Sequence, residues 1–398
     1  MKVFHCDHCD QLVFFENTHC IACGNRLAYL PELSRIGSLD PAEELQWQCP
    51  ASDAEGRRWR LCANYTEHDV CNWAVAADDP ELLCLSCRLT QVIPDLDKPN
   101  QKLWWYRLEM AKRRLLYALL ALKLPVRSKE EDPDGGVAFE FRADPEDPEE
   151  PPVLTGHAAG VITINVAEAD DAERERRRVL LHEPYRTLLG HVRHEVGHYF
   201  WDRLIRDDDD RLAGFRALFG DERQDYAEAL KSHYDHGPAE DWPDRCVTAY
   251  ASVHPWEDWA ETWAHYLHIT DTVEIAADSG LTLRPRQRNR LRLASVPDPV
   301  AGEAAGFDRM MESWYPLTYI LNNLNRGLGL PVAYPFVLPG PAIEKLRFIH
   351  DVIGEASRSC PYHVDRPDSG LVIVNAVRWL LRGFQVISME TPASRIPS

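Results

Sequence analysis

The chain has 398 residues, of which 45% are hydrophobic, and a formal net charge of −19 at pH 7. This length accommodates two or three domains, and the apolar fraction is that of a globular protein rather than of a disordered or membrane-embedded chain. The longest apolar run, Leu115 to Leu122, is far too short to cross a bilayer. The acidic balance argues against a phosphate-binding surface, so we expect neither a nucleic acid nor a membrane as a partner.

The first thirty residues contain two pairs of cysteines with the spacing C-x2-C, namely Cys6 with Cys9 and Cys20 with Cys23. Four thiolates in two such pairs are the typical ligand set of a zinc ribbon. We therefore predict a zinc ribbon over residues 1–30, in which these four cysteines bind a structural zinc ion.

Five further cysteines lie within residues 45–95, where we predict a second four-cysteine zinc module. The favoured ligands are Cys62, Cys71, Cys84 and Cys87, with Cys49 as a spare or alternate ligand. The isolated Cys246 and Cys360 are interpreted as buried apolar side chains.

Disulfides are the competing explanation for this cysteine-rich region. The opening residues Met1 to Cys6 lack the apolar stretch of a signal peptide, so we expect a cytoplasmic protein whose thiols stay reduced. Residues 1–95 carry seven Lys and Arg against 15 Asp and Glu, a net charge of −8, which leaves no basic patch for nucleic acid. We interpret both cysteine modules as structural or protein-recognising units.

Residues 98–124 combine regularly spaced tryptophans and leucines with seven basic residues, a pattern that predicts an amphipathic helix. Such a helix can bind a membrane surface. However, long basic side chains also cover apolar surface, and the acidic remainder of the chain would repel anionic lipid. We therefore predict a linker helix within residues 96–127 that packs against the protein core.

Residues 128–152 are rich in proline and acidic residues, which indicates a surface hairpin or mobile loop with a strand-like island at Val137 to Phe141. Residues 160–166 alternate apolar and polar side chains and predict a strand. At the upper edge of a sheet, such a strand could pair with an extended substrate. An interior strand is the alternative that the sequence leaves open.

The pattern HExxH is formed by His194, Glu195 and His198, within an apolar helix predicted from Tyr185 to Ile205. Two imidazoles four residues apart share one helix face and can bind a single metal ion. The glutamate then lies where it can take a proton from a water whose pKa zinc lowers to about 7. A buried helix with two hydrogen-bonded histidines is the alternative.

Catalytic zinc usually takes three protein ligands, so one is still missing. A metzincin would need a glycine at 201 and a histidine at 204, where this chain has Trp201 and Leu204. Asp202 continues the row of the two histidines, but it lies about 6 Å further along the helix axis than His198, so we expect it to orient a neighbour.

Helical patterns dominate the remaining chain and supply two better candidates for the third ligand. Glu257 and Glu261 lie one turn apart in a helix predicted over Ala249 to Thr270, so either could bind the metal while the other orients a ligand histidine. Asp258 and His265 are the remaining alternatives. The acidic run at 207–210 is interpreted as a solvated loop, and further helices are predicted at Gly214 to Tyr234, Phe307 to Leu324 and Ile343 to Ile353.

The segment E-x-x-A-E-x-W at residues 257–263, with Tyr250 seven residues before it, resembles the glutamate helix of gluzincins of the anthrax lethal factor class. This resemblance implies that Glu257 is the third metal ligand and that Glu261 accepts a hydrogen bond from a ligand histidine. It also implies that Tyr250 donates a hydrogen bond to the oxyanion. A solvated helix face is the alternative, which the surrounding tryptophans disfavour.

Most of the chain, from Cys6 to about Ile353, resembles a bacterial family of zinc-binding metallopeptidases with an amino-terminal zinc-ribbon domain. The matching stretches include those at residues 62–65, 71–73, 84–89, 194–202, 219–223 and 254–261. The resemblance implies an α+β fold, with a mostly helical zincin-like domain and a small edge sheet over residues 128–356. Residues 357–398 are expected to be a carboxy-terminal extension.

We therefore expect a zinc metallopeptidase with one catalytic and two structural Zn2+ ions. His194, His198 and Glu257 would bind the catalytic ion, Glu195 would be the general base, and Tyr250 would stabilise the oxyanion. The substrate would be a peptide or protein. A catalytically silent zinc-ribbon scaffold or regulatory protein is the alternative, against which the presence of Glu195 argues.

Overall fold

The computed structural model describes residues 1–147, 149–180, 183, 185–283, 296–300 and 306–359. Within these ranges the strands are β1 (Phe4–His5), β2 (Leu12–Val13), β3 (Arg26–Leu30), β4 (Arg35–Pro41), β5 (Trp47–Gln48), β6 (Trp59–Leu61), β7 (Ala74–Ala76), β8 (Thr90–Val92), β9 (Ala138–Arg142), β10 (Gly156–Ala158) and β11 (Val161–Asn165).

The helices of the same ranges are α1 (Ala63–Thr66), α2 (Leu85–Arg88), α3 (Gln101–Ala121), α4 (Asp171–Leu180), α5 (Leu188–Leu204), α6 (Asp209–Phe219), α7 (Tyr226–His236), α8 (Trp242–Arg245), α9 (Pro255–Asp278), α10 (Phe307–Gly327) and α11 (Gly340–Ser359). Short sheets followed by a mainly helical region make this an α+β fold, which confirms the predicted fold class. None of these helices is long and apolar enough to cross a membrane.

The amino-terminal region is built on one antiparallel sheet in the order β3-β4-β5-β6-β7, beside the β1-β2 hairpin. The two predicted cysteine modules share this sheet, because β3 belongs to the first and β5 to β7 belong to the second. Tyr29 and Trp73 are buried with their rings 4.7 Å apart, and the Tyr29 N–H donates to the Asn72 carbonyl. The same apolar core therefore supports both cysteine groups.

A second sheet, in the order β10-β11-β9-β8, lies beside the helical region. The strand-like island predicted at Val137 to Phe141 is confirmed as β9, but this strand pairs with β8 on one side and β11 on the other, so the prediction that it belongs to a surface hairpin or mobile loop was wrong. The strand predicted at 160–166 is β11, and it too is interior, since β10 pairs with it on one side and β9 on the other. The edge strand next to α5 is therefore β10, which the alternation pattern missed because it is only three residues long.

Helices α5 and α9 pack closely against each other at Gly197. A Cβ atom at this position would lie 3.0 Å from Ala260 Cα and 3.2 Å from Trp263 Cβ, so only glycine allows the observed approach without a shift. Trp259 donates from Nε1 to the Gly197 carbonyl at 2.9 Å. This close contact at Gly197 determines which residues of α5 and α9 face each other one turn further along the two helices.

Two predicted helical segments are divided differently in the structure. The segment 214–234 is broken into α6 and α7 at Gly220, whose φ of +105° is a backbone conformation that glycine adopts readily. The acidic run 207–210 is not a loop throughout, because Asp208 caps α6 by accepting from the Arg211 N–H. Helix α9 begins only at Pro255, a residue favoured in the first turn, with His254 as its cap.

The predicted linker helix is α3, and it is mostly buried rather than exposed as a membrane-binding helix would be. Helix α3 follows the second cysteine group along the chain and packs against α5. Of the predicted carboxy-terminal extension, only residues 357–359 belong to the described part of the chain, and there they continue α11.

Candidate metal centre and active site

The side chains of His194, His198 and Glu257 converge between α5 and α9. One ligand atom from each residue lies within 4.8 Å of those of the other two. The Nε2 atoms of the two histidines are 3.2 Å apart, and Glu257 Oε2 lies 3.0 Å from His194 Nε2. The structure thus brings together the three residues expected to bind a catalytic metal ion.

The environment of Glu257 suits a bound cation. Its side chain is almost fully buried, and no donor in the described part of the chain reaches Oε2 with hydrogen-bonding geometry. Burial raises the pKa of Glu257, but the neighbouring His198 and His194 lower it well below its usual range. A buried carboxylate oxygen without a donor is costly unless a positive charge satisfies it, and two imidazoles with one carboxylate are a common zinc ligand set.

Glu261 orients one of the two histidines. His194 Nδ1 and Glu261 Oε1 are 2.8 Å apart, and Thr248 donates from its hydroxyl to Glu261 Oε2 at 2.7 Å. An Nδ1–H that donates to this carboxylate leaves Nε2 of His194 with its lone pair free to bind a metal ion. Thr248 was not predicted, since a single threonine before the helix has no recognisable spacing.

Glu195 lies beside the same group on α5 and is nearly buried. Burial raises the pKa of its carboxyl group, and the nearby Glu257 and Glu261 raise it further, whereas His194 and His198 oppose the rise. A carboxylate with a raised pKa accepts a proton more readily at neutral pH, as a general base requires.

Two tyrosines lie on the other side of the group. Tyr250, in the 3-10 turn before α9, has its ring centroid 6.0 Å from that of His194. Burial raises the pKa of Tyr250 far above its usual range, so its hydroxyl stays protonated and can donate. Tyr226, the first residue of α7, donates to Glu257 Oε1 at 2.8 Å. Tyr226 was not predicted, although it closely follows residues 219–223, one of the stretches that carry the family resemblance.

His157 of the edge strand β10 was also missed. Its ring is stacked on that of His198, with the centroids 6.5 Å apart and the planes inclined by 10°. The Gly160 N–H donates to His157 Nε2 at 3.0 Å. Burial, assisted by His198, lowers the pKa of His157 to about 4, so the ring is neutral at physiological pH. The contact brings the edge strand against a candidate metal ligand.

The alternative ligands considered from the sequence have other partners. Asp202 forms an ion pair with Arg206 at 3.0 Å. Asp258 is buried in an ion pair with Lys345 at 2.5 Å. His265 is paired with a residue that is distant in the sequence, since its Nδ1 lies 2.6 Å from the Tyr334 hydroxyl.

The eight predicted zinc-ribbon cysteines form two separate groups. In each group the four sulfur atoms lie within 4.8 Å of one another, and the members are Cys6, Cys9, Cys20 and Cys23 in the first and Cys62, Cys71, Cys84 and Cys87 in the second. The second group is completely buried, whereas Cys9 and Cys23 of the first are exposed. Four convergent thiols without a disulfide are the donor set of a structural zinc site.

The other cysteines lie outside these groups. The Cys49 thiol is buried 3.5 Å from Asp7 Oδ2 and belongs to neither group, and burial raises its pKa to about 12. Cys246 is buried 3.9 Å from the Asp258 carboxylate. Cys360 lies outside the described residues.

Comparison with known proteins agrees with this arrangement. Residues 101–352 match a family model described as "Putative zinc-binding metallo-peptidase", and residues 3–98 match a zinc-ribbon domain. The chain belongs to this zinc-binding metallopeptidase family. The family resemblance seen in the sequence is therefore confirmed, and all three residues of the candidate metal centre lie inside the first match.

Similar proteins occur in mycobacteria. The chain is 43% identical over 357 residues to uncharacterized proteins of Mycobacterium bovis and of two strains of Mycobacterium tuberculosis. The alignment covers 90% of this chain and 96% of each relative, so both regions of this metallopeptidase-family chain are shared. No solved structure matches it.

Proposed function

We propose that this protein hydrolyses peptide bonds with a zinc ion bound by His194, His198 and Glu257. The observation that carries the proposal is the convergence of these three side chains with Glu195 beside them. Zinc bound there would supply Lewis-acid chemistry, polarising a water and the carbonyl of the scissile bond. Two structural zinc ions in the four-cysteine groups would bring the total to three per chain.

The protein side chains have separate tasks in this reaction. Glu195 takes the proton of the attacking water on its carboxylate and passes it to the nitrogen of the leaving amine. Tyr250 donates its hydroxyl hydrogen to the carbonyl oxygen as negative charge develops there. Glu261 keeps His194 in the tautomer that presents Nε2, through the bond between Nδ1 and its carboxylate.

The substrate is best accommodated at β10. This strand is at the edge of its sheet, and His157 on it contacts His198, so a peptide added alongside β10 would pass the metal centre. The net charge of −19 disfavours nucleic acid and anionic lipid as partners, which leaves an extended peptide or protein segment as the substrate.

The test is Glu195→Gln in the full chain, assayed against a diverse peptide library by mass spectrometry. We expect turnover to fall by about 10²–10⁴-fold, because the amide cannot accept the proton, while zinc content and thermal stability stay unchanged. Asp202→Asn is the matched control, an acidic residue of the same helix paired with Arg206 outside the metal group, and it should retain activity. Wild-type turnover in Glu195→Gln, or a zinc-loaded wild type that cleaves no peptide, would reject the proposal in favour of a silent scaffold.

A further inference from the structure

The hydroxyl of Tyr226 reaches a buried carboxylate from a partly exposed position. Tyr226 is 36% exposed at the start of α7, whereas Glu257, to which it donates at 2.8 Å, is 2% exposed. The hydrogen bond therefore ends on a residue expected to bind the catalytic metal ion.

The hydrogen bond makes the two oxygens of Glu257 different. Oε1 accepts from Tyr226 and lies 3.6 Å from His198 Nε2. Oε2 is buried without a hydrogen-bond donor among the described residues and lies 3.0 Å from His194 Nε2. One oxygen is thus engaged by the protein, and the other is left for a cation.

The position of Tyr226 is fixed by the start of α9. Its ring packs edge-on against that of His254, with the centroids 5.3 Å apart, and lies 6.3 Å from that of Trp256. His254 accepts from the Trp256 N–H at Nδ1, so its Nε2 carries the proton and donates to the Gln224 carbonyl at 3.2 Å. These contacts join the segment before α7 to the first turn of α9, the turn that carries Glu257.

We propose that Tyr226 is a positioning residue that restricts Glu257 to binding zinc through Oε2 alone. The inference rests on the proposed function, since it assumes that Glu257 is a ligand. A carboxylate bound through one oxygen, with two histidines, leaves the fourth position of a tetrahedral zinc site for water. A carboxylate released by loss of Tyr226 could bind through both oxygens and crowd that position.

The test compares Tyr226→Phe with the wild type as full-length proteins, using metal binding as well as activity. Phenylalanine keeps the ring contacts and removes only the hydroxyl. We expect the affinity of the catalytic site for zinc, measured by competition with a chelator, to fall about 10–100-fold, as for other partners of metal ligands. The zinc that Glu257→Ala retains serves as the baseline, because that zinc belongs to the cysteine groups.

Cobalt substituted into the catalytic site gives a spectroscopic readout of coordination. Visible absorption of cobalt weakens as the number of ligands rises, so we expect a weaker band in Tyr226→Phe than in the wild type. Tyr234→Phe, which removes an exposed hydroxyl from the same helix, should leave affinity and spectrum unchanged. Tyr250→Phe should lower activity while keeping wild-type zinc affinity.

The outcomes separate this inference from the proposed function. Wild-type zinc affinity and an unchanged cobalt spectrum in Tyr226→Phe would overturn the inference, even if the wild type hydrolyses peptides. If no peptide is cleaved by any variant, the proposed function fails, but the two metal measurements still decide the role of Tyr226. Loss of turnover with unchanged metal binding would make Tyr226 a substrate contact and also overturn the inference.

Discussion

The buried guanidinium of Arg113 offers a quantitative test of how the second cysteine group is stabilised. Arg113 of α3 is 2% exposed and donates to the Val70 carbonyl at 2.6 Å. Burial lowers its pKa, but the charges of Cys71 and Glu109 more than offset this and raise it. Glu109 is paired with Lys112 at 2.9 Å and lies 3.8 Å from Arg113, so one carboxylate faces two cations and one positive charge remains to balance the thiolates.

The expected magnitude follows from the charge of the site. Zinc bound by four thiolates carries a net charge of −2, and removal of one partner of a buried charge typically costs about 3–5 kcal/mol. Arg113→Met keeps the length of the stem and removes the charge, so we expect the free energy of unfolding to fall by about that amount. Arg114→Met is the matched control on the same helix, because Arg114 is 40% exposed and its ion pair with Glu16 is worth at most about 1 kcal/mol.

The assay is denaturant unfolding followed by circular dichroism, with zinc release recorded by a chromogenic chelator. Arg113→Met should release zinc from the cysteine groups at a lower denaturant concentration than Arg114→Met does. Equal unfolding free energies and equal zinc release in the two variants would refute the reasoning, since the guanidinium would then not be balancing the thiolates.

Two further predictions follow from the same structure. Purified wild-type protein should contain close to three zinc ions. Glu257→Ala should lack one of them, whereas Glu261→Ala should keep all three and bind the catalytic zinc about 10–100-fold more weakly. The reverse result in a zinc titration of the two variants would exchange the roles of Glu257 and Glu261. Burial lowers the pKa of His265 to about 4, below its value of about 6.5 in the unfolded chain. Between these two pH values the native state therefore binds fewer protons than the unfolded state. As the pH falls from 6.5 to 4, the protein should lose up to about 3 kcal/mol of stability. His265→Asn should reduce that slope in unfolding measurements made across this pH range, and an unchanged slope would contradict the assignment.

The residues that could be located from the sequence are those whose geometry is local. His194 and His198 are four residues apart on one helix, and each C-x2-C pair lies within a single turn of chain, so spacing alone brings their ligand atoms near each other. The choice of Glu257 over Glu261 rested on resemblance rather than geometry. In the structure the two carboxylates face different nitrogens of His194, with Glu261 at Nδ1 and Glu257 at Nε2.

The features that could not be predicted depend on pairing between distant segments. Strand β8 follows the second cysteine group, yet it pairs with β9 almost fifty residues later, and this long-range pairing makes β9 an interior strand. The proline-rich and acidic composition of residues 128–152 carries no information about which strand lies alongside the island at its centre. For the same reason the sequence left open whether β11 is an edge strand or an interior strand, because the three residues of β10, which pairs with it, are too few to show alternation.

The residues that surround the metal group show why a local motif is an incomplete description of the site. Thr248, Tyr226 and His157 each contact a predicted ligand or its partner, and each comes from a different element, namely the loop before α9, the start of α7 and the strand β10. Since such residues fix the tautomer and orientation of the ligands, a change in any of these elements should alter metal affinity without touching the motif. The motif therefore contains the two candidate histidine ligands, while the packing of α7, β10 and the start of α9 determines how the candidate ligands are presented.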